Sequence, residues 1–300
     1  MDHRRIAALG CFVACMLAQG CGGSERGSFS QLGEGGDGPA DPGSPPPGFD
    51  PAEAPAPSPA PAPAAPVDVV YGHSATTLYK LDPKTKNVAV VGNFDCSSEV
   101  TDLAIDESSN AYATSFSAFY AVDLATAHCS LVASGSFPNS LSFVPKGTVD
   151  PASEALVGYV GSTYVRIDPK TGSIKSLGTM SGGYVSSGDV VSVKGGGTFL
   201  TAKKTGCADC LLQVDPATGA VIQDYGSVGY GSVFGIAYWG GAVYGFTDAG
   251  ELFSITASGG TVTTTPIAMP GAPSGLRFWG AGSSTSVPAA APDGTSFPVK

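Results

Sequence analysis

The chain has 300 residues and a formal charge of −10, with only 13% of its residues charged. A chain this acidic has no basic surface with which to displace counterions from nucleic acid, which excludes that partner. Beyond the N-terminal leader only His73 and His128 remain, too few for a His-based triad or a multi-histidine metal cage.

Taken in order, Arg4 and Arg5 precede an apolar run from Ile6 to Ala18, and small residues lead to Cys21. This pattern predicts an export signal over residues 1–20, too short to span a bilayer as a permanent helix. Leu17-Ala18-Gln19-Gly20-Cys21 resembles a bacterial lipobox. The resemblance implies cleavage before Cys21 and lipid on its thiol and amine, a firm anchor because several acyl chains hold where one is marginal. The match departs from the common pattern at Gln19, and its Leu stands one place early. The alternative is an ordinary secretory signal that leaves Cys21 a free thiol. Removing Asp2, Arg4 and Arg5 takes away one net positive charge, so −10 becomes −11. The acidity is spread through turns without runs and reads as solubility rather than recruitment of a cationic ligand.

Residues 21–66 are rich in Gly, Ser, Pro and Ala and end in Pro55-Ala56-Pro57-Ser58-Pro59-Ala60-Pro61-Ala62-Pro63. With few apolar groups the segment cannot offset its own ordering entropy, and it is predicted to be a tether. Its Pro-Ala part is extended and semi-rigid, at about 3.1 Å per residue. A docking site for proline-binding modules is the functional alternative.

From Val67 to Val287 the composition changes to Val, Thr, Ser, Gly and Tyr without helical periodicity, which predicts an all-β domain followed by a flexible tail over 288–300. One stretch recurs within it. Tyr164-Val165-Arg166-Ile167-Asp168-Pro169-Lys170-Thr171-Gly172 has near-copies at Leu81-Asp82-Pro83-Lys84-Thr85 and Val214-Asp215-Pro216-Ala217-Thr218-Gly219, and weaker ones at Val122-Asp123-Leu124-Ala125-Thr126 and Ile255-Thr256-Ala257-Ser258-Gly259. The Asp column falls at 82, 123, 168, 215 and 256, in steps of 41, 45, 47 and 41, the period of a propeller blade. Before the turn apolar alternates with polar, as a half-buried strand requires. In the turn Asp accepts backbone hydrogen bonds, Pro presets φ and Gly takes the left-handed corner.

Each period accommodates four strands. The first of them are marked by Leu103-Ala104-Ile105, Leu141-Ser142-Phe143, Val191-Ser192-Val193, Ile236-Ala237-Tyr238 and Leu276-Arg277-Phe278. The domain opens with a second strand at Val70 and closes with a first strand at Leu276, so the two ends complete one sheet. The prediction is a five-bladed β-propeller of four-stranded antiparallel blades, closed by pairing of the C-terminal strand with the N-terminal blade.

Leu78-Tyr79-Lys80-Leu81-Asp82-Pro83-Lys84-Thr85, followed by Val88-Ala89-Val90-Val91-Gly92, resembles the blades of the bacterial PQQ-like, NHL and YVTN propeller superfamily. Signal, tether and propeller together resemble lipoproteins of delta-proteobacterial type, which implies a monomer lipid-anchored to the outer membrane of the cell envelope. The resemblance is silent on activity, because propellers host enzymes, binders and scaffolds alike. It implies no quinone: the tryptophan-docking repeat is missing, with only Trp239 and Trp279 in the chain, and no cofactor or metal is expected.

Cys11 and Cys15 leave with the signal, so the mature domain holds Cys96, Cys129, Cys207 and Cys210, an even number in an oxidising compartment. Cys207 and Cys210 are predicted to clip the loop between the second and third strands of the fourth blade. Cys96 and Cys129 fall in or just after outer strands of adjacent blades, where they can pair. The alternatives for the lone CxxC are redox activity or half a zinc site. His73 and His128 read as strand-edge side chains, and Gly195-Gly196-Gly197 as a turn.

Loops from each fourth strand to the next first strand open beside the channel. They carry Asp95 and Asp102, Phe137 and Asn139, Tyr184 and Asp189, Tyr230 and Phe234, then Pro273 and Ser274. Such a set suits a sugar or peptide, or simply packs the channel mouth. Arg277 stands in the column held elsewhere by Ala104, Ser142, Ser192 and Ala237, where a cation meets Asp102, an anionic ligand or a structural salt-bridge partner. Two functions follow. One is a membrane-tethered, non-enzymatic binding or scaffolding module for a carbohydrate, peptide or protein. The other is a lyase or glycosidase acting on envelope polysaccharide, with Asp102 and Asp189 as an acid/base pair.

Overall fold

Alternating apolar and polar residues form twenty strands in the computed structural model, which describes residues 69–290. The export signal, Cys21 and the tether lie outside the described residues. The strands make five four-stranded antiparallel sheets, and the domain is a five-bladed β-propeller. Blade 2 runs from Asp102 to Ser134, blade 3 from Leu141 to Thr179, blade 4 from Val185 to Ser227 and blade 5 from Val233 to Ile267. Blade 1 joins Gly280–Ser283 as inner strand to Val70–His73, Thr77–Leu81 and Val88–Asn93.

The ring closes as predicted, but through a different segment. Leu276-Arg277-Phe278 is not a strand; the inner strand starts at Gly280, which faces His73, while Ala281 faces Gly72 and Ser283 faces Val70. The reason is space at the axis. A Cβ on Gly280 would lie 2.2 Å from His73 Nε2, and one on Gly282 would lie 2.8 Å from the Leu103 carbonyl oxygen. Small residues are therefore needed there, and the apolar pattern four positions earlier belongs to a plug. Phe278 is buried, edge-on to Tyr79 at 6.1 Å and to Phe246 at 5.0 Å, between blades 1 and 5.

Four of the five repeated turns are built alike. Asp168 Oδ1 accepts the N–H groups of Lys170 (2.8 Å) and Thr171 (3.1 Å), while its carbonyl accepts that of Gly172 (2.8 Å). The left-handed corner is Gly172 and Gly219 in blades 3 and 4, but Lys86 and Ala127 in blades 1 and 2. Blade 5 departs from the expectation: its third strand continues through Thr256 to Ser258 and reverses at Gly259-Gly260, both with positive φ. Without an Asp to collect the turn's N–H groups, two glycines supply the twist-matched hairpin instead.

These turns also latch the blades together. Tyr164 donates its hydroxyl to the Pro216 carbonyl and Tyr159 to that of Gly219, each at 2.9 Å, so blade 3 holds the turn of blade 4. A Cβ on Gly219 would come within 2.4 Å of Tyr164, so this glycine answers to packing as well as to φ. Five buried apolar clusters fill the five interfaces between neighbouring sheets.

Both predicted disulfides form, Cys96–Cys129 and Cys207–Cys210. The second lies within the third strand of blade 4, which starts at Cys207, rather than in a loop. Cys96–Cys129 joins blades 1 and 2 across 33 residues. Replacing both by Ser is expected to lower stability by about 2–4 kcal/mol in urea unfolding, because the unfolded chain regains the entropy of an open loop.

Past the closing strand, the chain crosses the end of the channel that faces the repeated turns. Ser284 Oγ donates to the Asp106 carbonyl, Lys194 N donates to the Thr285 carbonyl, and Gly240 N donates to the Pro288 carbonyl. These contacts fall on blades 2, 4 and 5. Val287 is buried among the apolar residues of blades 4 and 5, with Ala289 packed beside it.

Candidate functional site

The inner strands converge on the axis, and residues that share one position in the repeat form layers across it. Pairing with the second strands aligns Leu103, Leu141, Val190, Ile236 and Ala281. One step towards the opposite end stand Asp102, Ser140, Asp189, Gly235 and Gly280. One step further stand Thr101, Asn139, Gly188, Phe234 and Trp279, and these five, one from each blade, line a pocket of about 230 Å³ together with Phe116 and Ser187.

The layer below is a plug. Asp102 accepts N–H groups from Leu103 (2.8 Å) and from Leu141 of the next blade (2.5 Å). Asp189 does the same with Val190 (2.6 Å) and with Ile236 of the blade after it (2.9 Å). The two carboxyl groups also hydrogen-bond to each other and are fully buried. Desolvation raises the pKa of both well above the carboxylate range, and the contact requires a proton between them, so they titrate as one pair.

His73 completes this layer. Its Nδ1–H donates to the Ser74 carbonyl at 2.9 Å, while Nε2 has no hydrogen-bond partner and lies 4.0 Å from Asp102 Oδ1. Burial lowers its pKa to about 4, so the ring is neutral. It is a core residue at the axis, not the strand-edge side chain predicted. His128 sits on the outside, bonded to Asp95 at 2.6 Å.

The expected ligand residues separate into three groups. Asn139 and Phe234 line the pocket. Asp102 and Asp189 lie beneath it, sealed from solvent. The others lie elsewhere: Tyr184 bonds Asp224 and Lys204 on the side of blade 4, Tyr230 stacks on Phe253 at 3.8 Å, and Phe137 stacks on Phe119 at 5.5 Å. Arg277 is not in the column assigned to it, where Gly282 stands. It projects outward, donating through Nε to Asp248 Oδ1 at 2.8 Å. This contact holds the Asp248 carboxyl below its ordinary pKa and leaves no cation at the axis.

Sequence reasoning missed Thr101, Phe116, Ser187, Gly188 and Trp279. A signal existed for Phe116, a large apolar residue between Ser115 and Ser117 in a hairpin turn, 71% exposed. Trp279 was hidden by the misplaced closing strand. Its indole N–H donates to Asp248 Oδ1 at 3.2 Å, which fixes the ring at the rim.

This arrangement does not fit hydrolysis. Glycosidase carboxyls stand about 5–5.5 Å apart in retaining enzymes and about 6.5–9.5 Å apart in inverting ones, leaving room for a sugar or water. Asp102 and Asp189 touch each other and are out of reach of any substrate. Among the described residues, no group of three His, Cys, Asp or Glu is placed to hold a metal ion. What the mouth offers is an apolar, uncharged concavity.

The fold and site define a β-propeller with a plugged axis and one open axial mouth. No protein-family model matches the sequence, and no curated protein matches it. Solved structures similar to it include a Kuenenia stuttgartiensis hydrazine synthase chain (13% identity, 64% of this chain and 60% of that one, TM-score 0.39). Others are a chain of a nidogen/laminin complex (10%, 71% and 97%, 0.45) and BamB from Moraxella catarrhalis (14%, 68% and 63%, 0.36). The chain thus spans 60% of the length of that hydrazine synthase chain.

Proposed function

We propose that this protein is a membrane-tethered binding or scaffolding lipoprotein of the cell envelope, anchored through Cys21 and presenting the axial mouth of its propeller at the end of the 21–66 tether. The observation that carries the binding reading is the pairing of an open mouth with a dead floor. All five blades give at least one residue to a pocket, while the acid/base pair beneath it is buried and bonded to itself and to four strand N–H groups. A site of this kind can hold a group and cannot activate water. The two disulfides support an oxidising address.

The anchor has its own test. In a host with a lipoprotein pathway, the wild type is expected to take up an alkyne-tagged fatty acid and to sediment with membranes, and Cys21→Ala to lose both properties. Wild-type protein that remains unlabelled and soluble would replace the anchor with an ordinary secretory signal.

A further inference from the structure

The shape and chemistry of the mouth narrow what can enter it. The pocket is blind, since the carboxyl plug closes it within one residue of the lining layer. Its volume of about 230 Å³ admits one ring-sized group, so recognition is end-on: a chain terminus or a single protruding moiety enters.

No Asp, Glu, Lys, Arg or His lines the pocket, and the nearest ion pair, Arg277–Asp248, is closed on itself at the rim. A protein of formal charge −10 also repels anions at long range. The entering group is therefore uncharged. Three aromatic side chains, Phe116, Phe234 and Trp279, supply faces for an apolar surface.

The polar lining decides between an apolar side chain and a hydroxylated ring. Ser187 Oγ already donates to Asp209 Oδ1 at 2.7 Å, and Thr101 Oγ donates to the Thr114 carbonyl at 3.1 Å. The Ser187 proton is committed to the fold, so its hydroxyl presents lone pairs and accepts, whereas Thr101 Oγ1 also lies 3.3 Å from the Thr114 hydroxyl and is spent within the fold. The Asn139 carboxamide has no hydrogen-bond partner among the described residues and both donates and accepts. An aliphatic or phenyl side chain would leave the Asn139 carboxamide unpaired on burial, which costs free energy. A pyranose ring gives its hydroxyl protons to the acceptors and lays its C–H face on the aromatic rings.

We infer that the axial mouth binds the terminal, uncharged hexose of a glycan, with the ring stacked on Trp279 and its hydroxyls donated to Ser187 and Asn139. This rests on the mouth being the binding site proposed above. Trp279 is held by Asp248 before any ligand arrives, so little ordering is needed on binding.

The chain has only two tryptophans, and Trp239 lies at the other end of its inner strand, away from the mouth. Trp239→Phe therefore makes Trp279 the sole indole reporter. In that background the probes are methyl gluco-, galacto- and mannopyranosides, the neutral disaccharides built from them, oligogalacturonides, and N-acetyl-phenylalaninamide.

At least one neutral saccharide is expected to change Trp279 emission saturably, with oligogalacturonides and the amide inert. Asn139→Ala should weaken that saccharide about fivefold, the loss of one hydrogen bond; Asn139→Asp, which adds charge without removing volume, is the control should the alanine variant not fold. Saturation by N-acetyl-phenylalaninamide or the oligogalacturonides, with neutral sugars inert, overturns the sugar assignment and leaves the mouth as a binding site. Silence from every probe class, with Trp279 still accessible to acrylamide, overturns both.

Discussion

Ending the chain after Gly275 is expected to abolish cooperative unfolding, although the described residues it removes include only one four-residue strand. Three separate things leave together. Val70–His73 loses its inner partner and becomes an open edge, with its ladder N–H and C=O groups beside the emptied axis. Phe278 is withdrawn from between Tyr79 and Phe246, opening the interface of blades 1 and 5. The 284–290 crossing is removed, and with it the hydrogen bonds it makes to blades 2, 4 and 5. A propeller of five interfaces cannot lose one quietly, because every sheet depends on two neighbours for burial.

The point variant that isolates the plug is Phe278→Ala, expected to cost about 3–5 kcal/mol in urea unfolding, the range for deleting a fully buried aromatic ring. A truncated protein that unfolds with the wild-type midpoint would show that closure is not made by Gly280–Ser283. Supplying residues 276–300 as a peptide in trans should restore part of the transition, as a noncovalent closing strand.

The number of blades and their closure were legible because repetition averages out local ambiguity: five copies of one pattern fix a column even where one copy is weak. The register of the last strand was not legible for a physical reason. Strand recognition favours branched and aromatic residues, and the axis of a small propeller selects against them, so Gly280-Ala281-Gly282-Ser283 carried no signal while Leu276 and Phe278 did. That single shift moved Arg277 into a false column and hid Trp279. In the candidate site, Asn139 and Phe234 were found because they precede recognisable inner strands. Ser187 and Gly188 were missed because the inner strand of blade 4 slips register between Ser186 and Val190, which no periodicity reports. The burial of Asp102 and Asp189 could not be read at all: a polar residue at a strand start looks exposed until five such starts meet at one point.

The carboxyl pair should give the protein an unusual dependence on pH. Asp102 and Asp189 have folded pKa values above their unfolded ones, so the stability they contribute is complete below pH ~4 and is lost as pH rises through the folded values. His73 acts in the opposite sense. Its folded pKa of about 4 lies below 6.5, so its contribution is complete above pH 6.5 and falls by about 3 kcal/mol as pH drops towards 4. Between these limits the two effects oppose each other: the folded pair holds protons that the unfolded chain has released, while the unfolded histidine holds one that the folded ring lacks. Above pH 6.5 the histidine no longer contributes, and stability should fall by about 1.4 kcal/mol per pH unit for each proton the pair still retains. Asp209, buried, and Glu154, partly buried, are also raised by desolvation, so the stability they contribute is likewise lost as pH rises through their folded values. Asp189→Asn keeps a donor to Asp102 in place of the shared proton, so it should flatten the decline above pH 6.5. Asp189→Ala should instead cost about 3–5 kcal/mol across the range, since it leaves the Val190 and Ile236 N–H groups and the Asp102 carboxyl without their partner. Urea midpoints at pH 5, 7 and 9 for the three proteins separate the cases. A wild type as stable at pH 9 as at pH 7 would mean that the pair has already ionised, and that the plug is held by its strand N–H groups alone.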